Sequence, residues 1–301
     1  MLKTIISATD GHRGRGAASL SQVIATATGA RLLLVGVEWD CPLPIEESYA
    51  NARAELEAEL RGVRDDVAPD ASTRVAFGLS PAHALRRVAE DVHADLIVVG
   101  SHHRSRLQRI ASVDIAMQVF HDAPCAVALA PDRLSPCREL RRIGVGIDDT
   151  PESAAALDLA LELARSAGAE VALLVVAADV YAGLPTRAMS GASVGSFHDV
   201  IDARASLART TLDTALARCD GVRTTGGVRM GDPATELIAL SADCDLLVLG
   251  SRRWGPVLRL ALGSTTAAVM REAHCPVLVP PRGVASEEHE AHRAAHANVL
   301  I

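Results

Sequence analysis

A chain of 301 residues is about twice the usual length of one compact domain, so two domains are the first expectation. Hydrophobic residues make up 49% of it but aromatics only 2%, so the cores must be built from Ala, Val, Leu and Ile, a composition that suits helices on parallel strands. The formal net charge of -7 leaves no broad cationic surface to neutralise a phosphate backbone or an anionic bilayer, which excludes nucleic acid and membrane as expected partners.

The chain opens on Lys3 to Asp10 (KTIISATD), a short apolar run that meets an aspartate. Its N-terminus, MLKTIISATDG, lacks the apolar stretch of about 7 to 15 residues that marks a secretory signal, and no apolar run reaches the roughly 18 residues needed to span a bilayer. Further strands are expected at 31 to 38, 72 to 77, 94 to 100 and 125 to 130, with helices in the intervals. Residues 134–141 then form a short polar linker. A second series of strands follows at 142 to 148, 170 to 177, 222 to 229, 244 to 250 and 275 to 280. The Gly/Ser/Ala-rich insertion 182–196 is expected to be mobile, and the Ala/Glu/His-rich tail 282–301 to be a frayed helix or disordered.

The two series are copies of one another. Asp10 is equivalent to Asp148, Ala94 to Gly100 (ADLIVVG) lies over Cys244 to Gly250 (CDLLVLG), and Ala123 to Val127 falls on Ala273 to Val277 without a gap. Alternation of β-branched runs with helical patterns marks βαβ units and a parallel sheet in each copy. Six widely spaced cysteines without a C-x-x-C pair argue against a disulfide framework and for a reducing, cytoplasmic setting.

In such a sheet ligands sit beyond the carboxyl ends of the strands, where Asp148 and Gly250 both fall. After Gly250-Ser251-Arg252-Arg253-Trp254-Gly255, the run Leu262-Gly263-Ser264-Thr265-Thr266 opens a helix. The first N–H groups of a helix have no internal partners and its dipole is positive there, so a glycine at that place lets an anion approach the backbone closely. Taken singly, Gly250 reads as a tight strand exit and Ser264 as a plain helix cap; with Asp148 they make a candidate site.

The G-x-x-G, nine residues, G-S pattern resembles the nucleotide-binding motif of the universal stress protein family, matched here by Gly250, Gly263 and Ser264. The resemblance implies two tandem Rossmann-like domains of the adenine nucleotide alpha hydrolase-like type, at 1–133 and 142–281, each with a five-stranded parallel sheet of order 3-2-1-4-5. It places ATP, AMP or ADP, with or without Mg²⁺, in the second domain, against Gly146, Ile147, Asp148, Val176, Leu249, Gly250, Arg252, Arg253, Gly263, Ser264, Thr265 and Thr266. It also implies pairing of copies through their last strands, so that tandem copies imitate a dimer, and a homodimer of such chains. Arg253 departs from the pattern by standing where the second glycine belongs: it either blocks the phosphate or clamps it with its guanidinium.

The first copy departs further. It has Val113 and Asp114 where the second has Gly263 and Ser264, and a carboxylate there caps the helix while repelling phosphate. Asp10 is accordingly read as a turn residue. His102-His103 and the spaced His289, His292 and His296 read as solvated faces, so no metal site is expected. The chain lacks the S-G-G-x-D-S and H-x-G-H signatures of adenylate-forming relatives and any local catalytic set, so the expectation is a stress-response or regulatory nucleotide binder, at most a slow ATPase. The alternative is a partner-binding scaffold without nucleotide.

Overall fold

The computed structural model describes residues 2–9, 15–38, 46–101, 116–121, 123–131, 137–178, 194–251 and 263–281. Asp10, His102-His103, Val113-Asp114, residues 182–193 of the insertion, Arg252-Arg253 and the tail lie outside the described residues. Strands β1 (Thr4–Ala8), β2 (Arg31–Glu38), β3 (Ser72–Phe77), β4 (Leu96–Ser101) and β5 (Ala126–Pro131) form the first half. The second half contains β6 (Arg142–Ile147), β7 (Glu170–Ala178), β8 (Thr224–Gly231), β9 (Leu246–Val248) and β10 (Val277–Val279).

All ten join one sheet of order β3-β2-β1-β4-β5-β10-β9-β6-β7-β8, so each half has the expected order 3-2-1-4-5. Pairing is parallel within each half and antiparallel where β5 meets β10. There Ala128 stands opposite Leu278, its own equivalent in the repeat, with Val127 opposite Val279 and Leu129 opposite Val277. The two halves are thus related by an approximate two-fold axis through that residue pair, as in a symmetric dimer interface.

Helices α1 (Arg15–Thr28), α2 (Glu46–Val67), α4 (Pro151–Ala167) and α5 (Val194–Leu216) cover one face of the sheet. On the other lie α3 (Pro81–Val92), the helical stretch 116–121, α6 (Pro233–Ser241) and α7 (Ser264–Glu272). Each face has a continuous apolar core running across both halves; Ile5, Leu34, Val98, Ile143, Leu157 and Leu278 share the first, Ile6, Ile97, Val127, Leu247 and Val277 the second. Strands buried on both faces need unbroken apolar runs, which explains why β1, β4, β6 and β9 are legible as such. Helix α1 packs on α4 across the axis, and the Leu2 N–H donates to Glu162 Oε1 at 3.0 Å.

Local chemistry sets the element ends. Ser80-Pro81, Thr150-Pro151 and Asp232-Pro233 each place a capping side chain before a proline whose missing N–H costs nothing in the first turn. Gly168, at φ 68, ends α4 in the left-handed conformation glycine adopts without strain. An aspartate clamp recurs in both halves. Asp95 Oδ2 accepts from the N–H groups of Lys3 and Thr4 at 2.7 and 3.0 Å, and Asp245 Oδ2 from those of Arg141 and Arg142 at 2.8 and 2.9 Å. Each clamp ties the start of a fourth strand to that of a first strand, and it fixes Ile5 opposite Leu96 and Ile143 opposite Leu246. That shared register supports the equivalence of Asp10 and Asp148.

Cys125, Cys137, Cys219, Cys244 and Cys275 are all free thiols. Burial pushes the Cys125 thiol up to about 12 and those of Cys137 and Cys244 to about 11, so these sulfurs stay protonated and unreactive. Among the described residues no helix is long and apolar enough to cross a membrane.

Candidate functional site at the carboxyl ends of the second half

Strand β6 ends at Ile147, and the chain turns through Asp148, Asp149 and Thr150 into α4. This turn is closed by a ring of hydrogen bonds. Asp148 Oδ1 accepts from both the Thr150 N–H and the Thr150 hydroxyl, and the Thr150 hydroxyl oxygen accepts from the Ser153 N–H at 3.2 Å. Ser153 Oγ lies 3.0 Å from the Asp148 nitrogen and 3.1 Å from its carbonyl oxygen, accepting from the one and donating to the other. The exposed carboxylate is therefore held by one oxygen, and Oδ2 has no protein partner among the described residues.

Strand β9 leaves the sheet through Leu249, Gly250 and Ser251. A Cβ on Gly250 would stand 2.8 Å from the carbonyl carbon of Glu152 and the nitrogen of Ser153, so the strand exit presses on the backbone of the first turn of α4. Only glycine fits between them. Gly146 has a similar role under α6, where a Cβ would meet the side-chain tips of Leu237 and Leu249 at 2.9 Å.

Gly263, at φ -58 and ψ 150, is the N-cap of helix α7, and no side chain among the described residues caps it. The caps of α3, α4 and α6 are each satisfied by a serine, threonine or aspartate oxygen, whereas among the described residues no side chain takes up the first N–H groups of α7. The Thr266 hydroxyl donates to the Gly250 carbonyl at 3.4 Å, which anchors the helix start to the end of β9.

These pieces enclose a cleft of about 240 Å³. Of the residues expected from sequence, Gly146, Ile147, Asp148, Val176, Leu249, Gly250, Gly263, Thr265 and Thr266 line it. Ser264 is exposed in the first turn of α7 and is not part of the wall. Arg252 and Arg253 lie outside the described residues. The sequence reading missed Thr150, Glu152, Ser153, Leu174, Pro233, Leu237 and Ser251. Two signals could have found part of this set: Thr150-Pro151 and Asp232-Pro233 are helix starts immediately after the ends of strands, which is where a parallel sheet builds its ligand walls.

The cleft has two characters. Leu174, Val176, Pro233 and Leu237 make an apolar end at β7 and α6; Asp148, Glu152, Ser251, Thr265 and the open turn of α7 make a polar end at β6 and β9. Among the described residues that line it there is no lysine or arginine.

The sequence profile of the Universal stress protein family matches residues 1–131 and again 139–281. The chain belongs to this family. A universal stress protein of Mycobacterium tuberculosis is 28% identical over 188 residues, which is 62% of this chain and 61% of the relative. The chain thus spans about three fifths of the length of the curated relatives it first matches. A second universal stress protein of Mycobacterium tuberculosis is 26% identical over 262 residues, 82% of this chain and 84% of the relative. A solved structure described as a putative universal stress protein from Pseudomonas aeruginosa superposes with a TM-score of 0.66 at 19% identity, covering 97% of this chain and 98% of that one, a likeness of fold. Two universal stress protein units in one chain account for the mirrored strand order and the antiparallel junction of β5 with β10.

Proposed function

We propose that the cleft of the second half binds an adenine nucleotide, ATP or its di- or monophosphate, and that the chain acts as a regulatory nucleotide binder. The observation that carries this reading is the convergence of an uncapped helix start at Gly263 with a half-satisfied carboxylate at Asp148 on one cleft. The open N–H groups of α7, at the positive end of its dipole, suit a phosphate; the free oxygen of Asp148 suits ribose hydroxyls; the apolar end suits a base. Mg²⁺ would enter on the phosphates, since among the described residues no cluster of three His, Cys, Asp or Glu could hold a metal. The division into units 1–133 and 142–281 belongs to the same proposal. The competing reading, a partner-binding scaffold without nucleotide, draws on the two carboxylates, Asp148 and Glu152, in walls that carry no described cation.

Calorimetric titration with ATP and Mg²⁺, beside a Gly263→Asp variant, tests the proposal. Asp at this place caps the helix as Asp232 caps α6 and puts a negative charge where phosphate would sit. The expected outcome is about one equivalent bound by the wild type, lost in the variant, whose stability is unchanged or slightly raised. No heat with wild type up to millimolar ATP overturns the proposal in favour of the scaffold.

A further inference from the structure

The two halves differ at the corner where the third strand of each turns into the following helix. In the second half Arg229 on β8 is the register partner of Val176, so both project from the same face. Its Nη1 donates to Glu236 Oε2 on α6 at 3.0 Å. Glu236 stands between Pro233 and Leu237, both cleft residues. In the first half the register partner of Val37 is Ala76, and the helix position matching Glu236, three residues after the N-terminal proline, is Ala84. Both alanines are buried, at 7% and 1% exposure, and a Cβ on Gly78 would meet Ala84 Cβ at 2.9 Å. That corner is closed by small apolar contacts, while in the second half it is propped by a charged pair beside the cleft. Gly227, the partner of Leu174 on the same face, has nothing within 4 Å of where its Cβ would stand.

The order of strands fixes which part of a ligand meets this pair. Across the sheet run β9 with α7 at its end, β6 with Asp148, β7 with Val176 and β8 with Arg229. At roughly 4.8 Å per strand the span from β9 to β8 is about 14 Å, the scale of an extended nucleotide. With phosphate at α7 and ribose at Asp148, the base lies on Leu174 and Val176 with its edge toward β8. Arg229 and Glu236 stand beside the cleft wall, one strand beyond Val176, and we propose that they read the edge of a base that reaches past that wall, an assignment that rests on the nucleotide reading above. The remaining guanidinium N–H groups of Arg229 have no protein partner among the described residues, and Glu236 supplies acceptor oxygens. A donor beside an acceptor complements the edge of adenine, where a ring nitrogen accepts and the N6 amino group donates. Hypoxanthine, with a carbonyl in place of that amino group, sets oxygen against the carboxylate. The pair therefore selects adenine over hypoxanthine.

The test is titration of the full chain with ATP and with ITP, both with Mg²⁺, on the wild type, Glu236→Gln, the double variant Arg229→Ala/Glu236→Ala, and Gly263→Asp. Wild type is expected to favour ATP by about tenfold, the discrimination of one good hydrogen-bonded edge. Gln at 236 presents an N–H to the hypoxanthine carbonyl and should bring the ratio to about one. The double variant, which copies the alanines of the first half, should lose selectivity while both nucleotides still bind. Loss of both ligands in Gly263→Asp assigns the heat to the cleft. Equal affinities in wild type, or a tenfold preference that survives in Glu236→Gln, overturns the base-reading assignment and leaves the nucleotide reading intact. No uptake of either nucleotide by wild type overturns both.

Discussion

Substituting Gly250 by alanine perturbs the point where β9 meets α4. The new Cβ stands 2.8 Å from two backbone atoms of α4, whereas ordinary contact begins at 3.4 Å, so the helix start must withdraw by about 0.6 Å. Backbone anchored by the Thr150 cap and the Ser153 bridge does not swing aside as a flexible side chain would. Overpacking of this kind costs about 1–3 kcal/mol. Fewer conformations in the unfolded chain return roughly 0.4–1 kcal/mol, leaving a net loss of about 1–2 kcal/mol. Because the apolar cores run across both halves, one cooperative transition is expected and the loss is read from its urea midpoint. Gly227→Ala is the control: nothing lies within 4 Å, so its effect should be neutral or slightly stabilising. Should Gly250→Ala prove no more costly than Gly227→Ala, the close approach described for the cleft wall is wrong. The same withdrawal would displace Asp148 and weaken ATP binding.

Three further outcomes are expected. Asp245→Ala leaves the N–H groups of Arg141 and Arg142 without their clamp and should cost about 1–2 kcal/mol in urea unfolding, with Asp95→Ala costing a similar amount in the first half. Ser7 is fully buried in β1 with a hydroxyl that has no partner among the described residues, so Ser7→Ala should raise stability by about 1 kcal/mol; a fall of the urea midpoint would mean that the hydroxyl is satisfied. The Asp232 carboxyl is held below the ordinary carboxylate value by the Thr235 N–H and hydroxyl. A depressed folded value means that this cap stabilises fully above about pH 4 and fades as pH falls through the lowered value. Denaturation midpoints from pH 2.5 to 6 should therefore fall less steeply in Asp232→Ser than in wild type, and parallel curves would refute the linkage.

The strands were legible because buried parallel strands require apolar runs, and the repeat supplied each run twice. Strand β8 was expected at 222 to 229 and found at Thr224–Gly231, displaced by two residues at both ends, while β9, expected at 244 to 250, is confined to Leu246–Val248. Gly226 and Gly227 have little strand preference of their own, so pairing with β7 decides where the strand lies. At the cleft, the glycines and Asp148 were legible because a recognisable spacing carries them. Leu174 and Leu237 were not, since they reach the cleft through the folding of β7 and α6 against one another rather than through any local spacing, and Thr150 and Pro233 carried only the weaker signal of a capped helix start after a strand end. Gly250 shows both sides of this: the spacing marks it as a cleft residue, but the pressure of α4 that requires glycine exists only in three dimensions.

The antiparallel junction of β5 and β10 has a consequence in mass action. Between separate chains such a contact forms at a rate and to an extent set by concentration, and it dissolves on dilution. Here one covalent connection makes it an intramolecular event, governed by an effective concentration rather than by the bulk one. The stoichiometry of one Gly263-Ser264 half to one Val113-Asp114 half is fixed by the chain itself. Each half is thereby free to drift to a different task, because neither must remain able to pair with an identical copy.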